Sequence, residues 1–174
     1  TWITHLANAV HDRDKMLEFY GRIVGRKAHR TIEQNGNPRL ADVAGALPGA
    51  LAAHGVTVTT LVPGYPAVMT ALEYADEVAA ELQVFGGTAR LLSGLAKGLQ
   101  VFVLDAPHLY NRQGNPYLGP GGADWPDNAQ RFAALSQIAA RLARGEFAGY
   151  QADLVHLHDW QAALTAAYLT FDGG

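Results

Sequence analysis

The stretch VHLHDWQAAL, residues 155–164, sets His156, His158 and Asp159 at the end of an apolar run and opens a helix with Trp160. A period of two puts both histidines on one side of a strand. Joined by His108, three neutral imidazoles and Asp159 would make a reasonable zinc or manganese set, the basis of a metal-dependent hydrolase. Against it stands plainer chemistry, in which strand-end histidines are only hydrogen-bonded and Asp159 caps the next helix. Trp160 and Gln161 then pack and cap the helix start. We expect no metal and no cofactor.

A second constellation is APHLYNRQGNPYLGPGGADWP, residues 106–126, crowded with Pro, Gly and Asn. A connection of this length exceeds what joining two elements requires, which makes it a functional candidate. Tyr117 carries both an aromatic face and a hydroxyl and is the strongest candidate in the loop, with anchoring of the loop to the domain as the equal alternative. Asp105, His108, Tyr110 and Arg112 suit shaping it, with Arg112 able to pair with Asp105 or Asp124.

These groups must be positioned by regular elements. In LADVAGALPGALAAHG, Leu40, Val43, Ala44, Leu47 and Leu51 recur at helical spacing, Pro48 interrupts, and Gly55 suits the stop. VTVTTLVP reads as a strand ended by Pro63. Two apolar runs around Gly86-Gly87 favour a hairpin, a second turn is expected between Gly94 and Gly98, and LQVFVLD is a strand ending at Asp105. Asp127 or Asn128 can cap a helix over AQRFAALSQIAARLAR, whose Phe132, Leu135, Ile138, Ala139 and Leu142 share a face. ADLVHLH is a last strand and WQAALTAAYLTF a last helix. Alternating strands and helices predict an α/β, Rossmann-like, doubly wound and mostly parallel sheet, with Asp105, His158 and Asp159 at strand C-terminal ends where such folds bind ligands.

At 174 residues, 49% hydrophobic and 17% charged, the chain can bury a core and is not of disordered composition. A net charge of -3 gives no basic footprint for nucleic acid or an anionic membrane, so a small molecule is the expected partner. The absence of cysteine leaves no disulfide framework or thiolate metal site. No secretory segment or bilayer-spanning apolar run is seen, and a cytoplasmic setting is expected. Residues 1–39 differ in character: HDRDKMLEFYGRIVGRKAHR packs nine charged residues into a short amphipathic stretch, followed by a turn at Asn35, Gly36 and Pro38.

From Leu40 to about Phe171 the chain resembles the N-terminal lobe of bacterial glycogen synthases and plant starch synthases. The resemblance rests on LADVAGALPGALAAHGVTVTTLVPGYP, on DAPHLYNRQGNPY followed by DWPDNAQRFAALS, and on VHLHDWQAALTAAYL. It implies an enzyme that transfers glucose from ADP-glucose, with retention, to the non-reducing end of an α-1,4-glucan, in a cleft between two Rossmann-like lobes. It also implies that the chemistry needs no metal. Asp42, Tyr117 and Asp159 match family positions on the glucosyl side of the cleft, and His158 joins them as a binding candidate. Asp159 is the residue expected nearest the chemistry, where a carboxylate can accept sugar hydroxyls or face a developing positive charge.

The departures carry expectations of their own. The family begins with a strand and a KxGGLAD loop, whereas here Gly36 stands at the lysine position and Pro38 and Arg39 at the two glycines. Pro38 lacks an N–H that a phosphate-cradling loop would present. We therefore divide the chain into an unmatched charged helix and linker, 1–39, and a partial catalytic lobe, 40–174. The sequence ends at Gly174, before the family's next histidine-bearing strand and the second lobe that holds the donor diphosphate. No synthase turnover is expected of the chain alone, and a non-catalytic glucan- or partner-binding module is the alternative. The family's first strand is interior to its sheet, so the sheet needs a replacement from residues 1–39 to keep its ladder complete.

Overall fold

The computed structural model describes residues 7–10, 40–113, 116–147 and 149–172, and of 7–10, 40–46, 159 and 160 the backbone. The elements, in order, are β1 (Ala7–Val10), α1 (Leu40–Ala53), β2 (Val58–Pro63), α2 (Pro66–Ala71), β3 (Leu72–Val84), β4 (Gly87–Ala96), β5 (Leu99–Asp105), α3 (Pro107–Tyr110), α4 (Asn128–Ala143), β6 (Leu154–Leu157), α5 (Asp159–Ala162) and α6 (Leu164–Phe171). The single C-terminal helix expected from the sequence is thus two pieces.

The strands form one sheet in the order β3-β4-β5-β2-β1-β6. The expectation of a mostly parallel sheet is corrected here. Among the described residues only β2 and β5 pair parallel, and the β1–β2, β1–β6, β3–β4 and β4–β5 pairs are antiparallel. The physical reason lies partly in two tight turns. Phe85 and Gly86 have φ of 41° and 84°, and Lys97 and Gly98 of 50° and 76°. Each pair forms a two-residue loop with positive φ at both positions, whose twist suits a hairpin and can join only antiparallel strands. The second turn therefore sits at Lys97-Gly98. Gly94 lies inside β4, paired with Ala75, where a Cβ would collide with the carbonyl oxygen of Tyr74.

The other reversal concerns β1. It occupies the place between β2 and β6, so Ala7–Val10 supplies ladder partners to both, but it runs opposite to each. Ala7 pairs with Leu61 and Leu157, and Val10 with Val58 and Leu154. The chain enters β1 where β2 and β6 end and leaves it where they begin.

The central strands are covered on both faces. Leu61, Leu91, Phe102 and Leu104 point into a core with Ala134, Leu135, Ile138, Ala139 and Leu142 of α4, while Val62, Leu92, Val101 and Val103 meet Val68 and Met69 of α2 on the other side. Helix α1 stops as its sequence suggests. The N–H of Val56 donates to Leu51 O and that of Gly55 to Ala52 O, with Gly55 at φ 76° and Leu51 packed on Val56, the hydrogen-bond pairing of a Schellman motif. The outer strand β3 exposes Glu73, Asp76, Glu77 and Glu81 and has three register breaks, features that discourage edge-to-edge association.

Gly94→Ala should therefore lower stability by about 2 kcal/mol, because the obstacle is backbone and cannot rotate away. Urea unfolding checks this, with Gly49→Ala as the control, since that position is open.

Candidate functional site

Strand β5 delivers Asp105 to the start of the long loop. Its carboxylate accepts from Nη2 and Nε of Arg90, at 2.5 and 3.2 Å, across the β4–β5 ladder. Asp105 is thus tied back into the sheet. Arg112 pairs neither with it nor with Asp124. It grips Asp127 through Nη1 and Nη2, at 2.7 and 2.5 Å, and donates to His108 O at 2.8 Å, while its guanidinium lies 5.0 Å from the Trp125 ring centroid. The Arg112 hydrogen bonds hold the Asp127 carboxyl below its ordinary range. Asp127 is thereby occupied, and it precedes α4 without a side-chain cap bond to the helix.

His108 does not join the other histidines. Its Nε2 lies 2.8 Å from Val84 O at the β3–β4 hairpin, where its ring leaves no room for a Cβ at Gly87. Among the described residues, no three His, Asp or Glu side chains are gathered as a metal set.

The loop is closed from beneath by Arg131, which is 1% exposed. Its Nε donates to Leu109 O at 2.9 Å, and its Nη1 to Pro116 O at 2.8 Å and Asn128 Oδ1 at 2.7 Å. Its guanidinium carbon is 5.8 Å from the Tyr65 ring centroid and 6.0 Å from that of Tyr110, and the two rings meet edge to face. The Tyr110 hydroxyl donates to Arg131 O at 2.7 Å. Burial pushes the Tyr65 phenol up to about 12, partly offset by Arg131, and holds Tyr110 well above its usual value.

This clamp presents Tyr117. Its carbonyl accepts from Asn128 Nδ2 at 2.9 Å and from the Trp125 N–H at 3.1 Å, and its ring stands edge to face on Phe132 with centroids 5.9 Å apart. Its hydroxyl accepts from Gln161 Nε2 at 2.5 Å, a contact spanning 44 residues. Gln161 belongs to α5, the short helix that Asp159 opens. Tyr117 and the Asp159 helix are therefore brought together. Asp42 falls in the first turn of α1, whose backbone runs on into the Schellman stop before β2.

Strand β6 ends at the same helix. His156 and His158 do lie on one side, with rings stacked 4.2 Å apart at an interplanar angle of 27°. Desolvation lowers both pKa values, that of His158 to about 4 with a further push from His156. Stacked neutral rings are poor proton acceptors and suit a hydrogen-bonding surface.

Arg131, Asn128 and Gln161 were not singled out by sequence for these roles. A signal existed for the first: positions 131, 135, 138 and 142 follow helical spacing, so Arg131 occupies the buried stripe of α4.

The starch synthase catalytic domain family matches residues 38–173. Similar curated proteins include the glycogen synthase of Rhodopseudomonas palustris strain BisB18, 58% identical over 134 residues, covering 77% of this chain and 27% of that protein. That of Methylocella silvestris is 60% identical over 134 residues, with 77% and 28% covered. That of Acidiphilium cryptum is 52% identical over 150 residues, with 86% and 31% covered. The chain thus spans 27% to 31% of the length of these relatives.

Two outcomes follow from this geometry. Arg131→Met should cost about 2–4 kcal/mol, by leaving the Leu109 and Pro116 carbonyls unpaired, and should open the loop to limited proteolysis. Stability should also depend on pH through the histidines. An unfolded histidine takes up its proton near 6.5, but folded His158 only near 4. The stabilisation is full above 6.5 and is lost as pH falls from 6.5 to 4, by roughly 1–2 kcal/mol for a half-buried ring. Urea midpoints at pH 7 and 4.5 measure it, and His158→Gln should flatten the difference.

Proposed function

The chain belongs to the family of starch synthase catalytic domains, and on that premise we propose that it forms one wall of a site moving glucose from ADP-glucose to the non-reducing end of an α-1,4-glucan. The observation that carries the proposal is the tie between Tyr117 and the helix Asp159 opens, made where β6 ends and where the loop after β5 folds back. Retaining transfer needs an oxocarbenium-like centre stabilised and a departing diphosphate neutralised. In this reading Asp159 accepts sugar hydroxyls and faces the developing positive charge. Tyr117 packs its ring on the sugar and His158 hydrogen-bonds to it, while Asp42 lies on the glucosyl side. The departing diphosphate is met by a second lobe, in line with the much greater length of the relatives. A cytoplasmic setting belongs to the same reading; among the described residues no helix is long and apolar enough to cross a membrane.

The chain alone should release no ADP from ADP-glucose and glycogen above a blank. It should still bind maltoheptaose weakly in ligand-observed NMR, and Tyr117→Ala should weaken that binding at least tenfold. Turnover by the chain alone would overturn the division of labour between lobes. Sugar binding unchanged in Tyr117→Ala would overturn the assignment of Tyr117.

A further inference from the structure

We propose that Gln161 is a positioning residue, one that fixes the Tyr117 hydroxyl and so sets the long loop against the helix bearing Asp159; its relevance to transfer rests on the sugar-facing role of Tyr117 proposed above. Three observations carry this. The Gln161 side chain is 3% exposed, and its Nε2 lies 2.5 Å from Tyr117 Oη. Its helix is itself anchored, because Ser136 Oγ of α4 donates to Gln161 O at 3.3 Å. Its Oε1, in contrast, is buried with no hydrogen-bond partner among the described residues.

The last point separates positioning from mere structure. An amide that leaves half its hydrogen-bonding capacity unmet inside the protein costs stability, and an apolar side chain of similar shape would avoid that cost. Methionine is close to such a shape. A glutamine present only for stability is hard to justify here, whereas one that donates to Tyr117 has a reason to be kept. The ring and carbonyl of Tyr117 are already held by Phe132, Asn128 and the Trp125 N–H. Gln161 adds a fixed point at the hydroxyl end of the same side chain. A side chain locked by its neighbours is what a site needs for reproducible contact with a substrate.

The test uses the 174-residue chain labelled at tyrosine Cζ, whose shift reports hydrogen bonding of the phenol, with Tyr117→Phe identifying the resonance. In Gln161→Met the Tyr117 resonance should shift, while those of Tyr65 and Tyr110 stay in place and the urea midpoint is unchanged or higher. Maltoheptaose affinity should fall at least threefold. An unmoved Tyr117 resonance overturns the inference. So does a Gln161→Met chain that fails to fold or shifts all three resonances, since Gln161 would then be a general support. If maltoheptaose leaves Tyr117 unperturbed in the unsubstituted chain while Gln161→Met still shifts its resonance, the sugar-facing reading fails and the tie stands.

Discussion

A buried guanidinium needs acceptors, and the long loop of this protein is shaped by supplying them. Taking a cation out of water costs several kcal/mol even after relaxation, so Arg131 can sit at 1% exposure only with its donors engaged. Its hydrogen-bond partners among the described residues are the Leu109 and Pro116 carbonyls and the Asn128 amide oxygen, none of them a carboxylate. Leu109 and Pro116 lie on either side of the stretch that runs out toward Tyr117, so the loop cannot peel from α4 without abandoning a cation. Two aromatic faces at 5.8 and 6.0 Å, Tyr65 after β2 and Tyr110 in α3, complete the enclosure. One side chain thus links the ends of two parallel strands, the loop and the helix beneath it.

That arrangement explains which parts of the fold were legible in sequence. The α4 stripe of Phe132, Leu135, Ile138, Ala139 and Leu142 announces itself by spacing and is buried throughout. The α1 stop at Gly55 was readable because one residue with positive φ and one apolar contact decide it locally. Strands β2, β5 and β6 were located close to their true bounds, but the direction of pairing was not, because partners far along the chain decide it. Lys97 shows the local limit as well. A lysine at φ 50° gives no composition signal, so the turn was placed only within Gly94 to Gly98, and Gly94 itself is a glycine needed for close strand approach.

The candidate site divides along the same line. Tyr117 was visible as an aromatic in an overlong loop, and the two histidines as a period-two pair. Their physical state was hidden: stacked rings held neutral by burial look, as letters, like metal ligands. Arg112 was expected to find an acid and did, but the acid is Asp127, which the sequence offers equally well as a helix cap. Once Arg112 takes both of its oxygens, Asp127 is held in the loop network. Gln161 was read as helix packing, and its contact with Tyr117 arises only when the loop has folded back over α4.

Strand β1 separates folding from site building. The ladder demands that β2 and β6 find hydrogen-bond partners, and Ala7–Val10 meets that demand in either direction, since antiparallel pairing is at least as favourable per residue. Ligand loops make a stricter demand. In α/β sheets they follow strands at their C-terminal ends, so polarity matters as well as position. A strand that enters beside Leu61 and Leu157 leaves beside Val58 and Leu154, at the end of the sheet away from Tyr117 and the Asp159 helix. Among the described residues, β1 therefore does not itself deliver the chain to the end of the sheet where the resemblance implies a loop before Leu40. In that same stretch stand Gly36, Pro38 and Arg39, where the resemblance implies a lysine and two glycines. A sheet can be completed by a segment of opposite polarity, and the contact between Tyr117 and the helix that Asp159 opens is built from the loop after β5, the helix after β6 and α4, without β1.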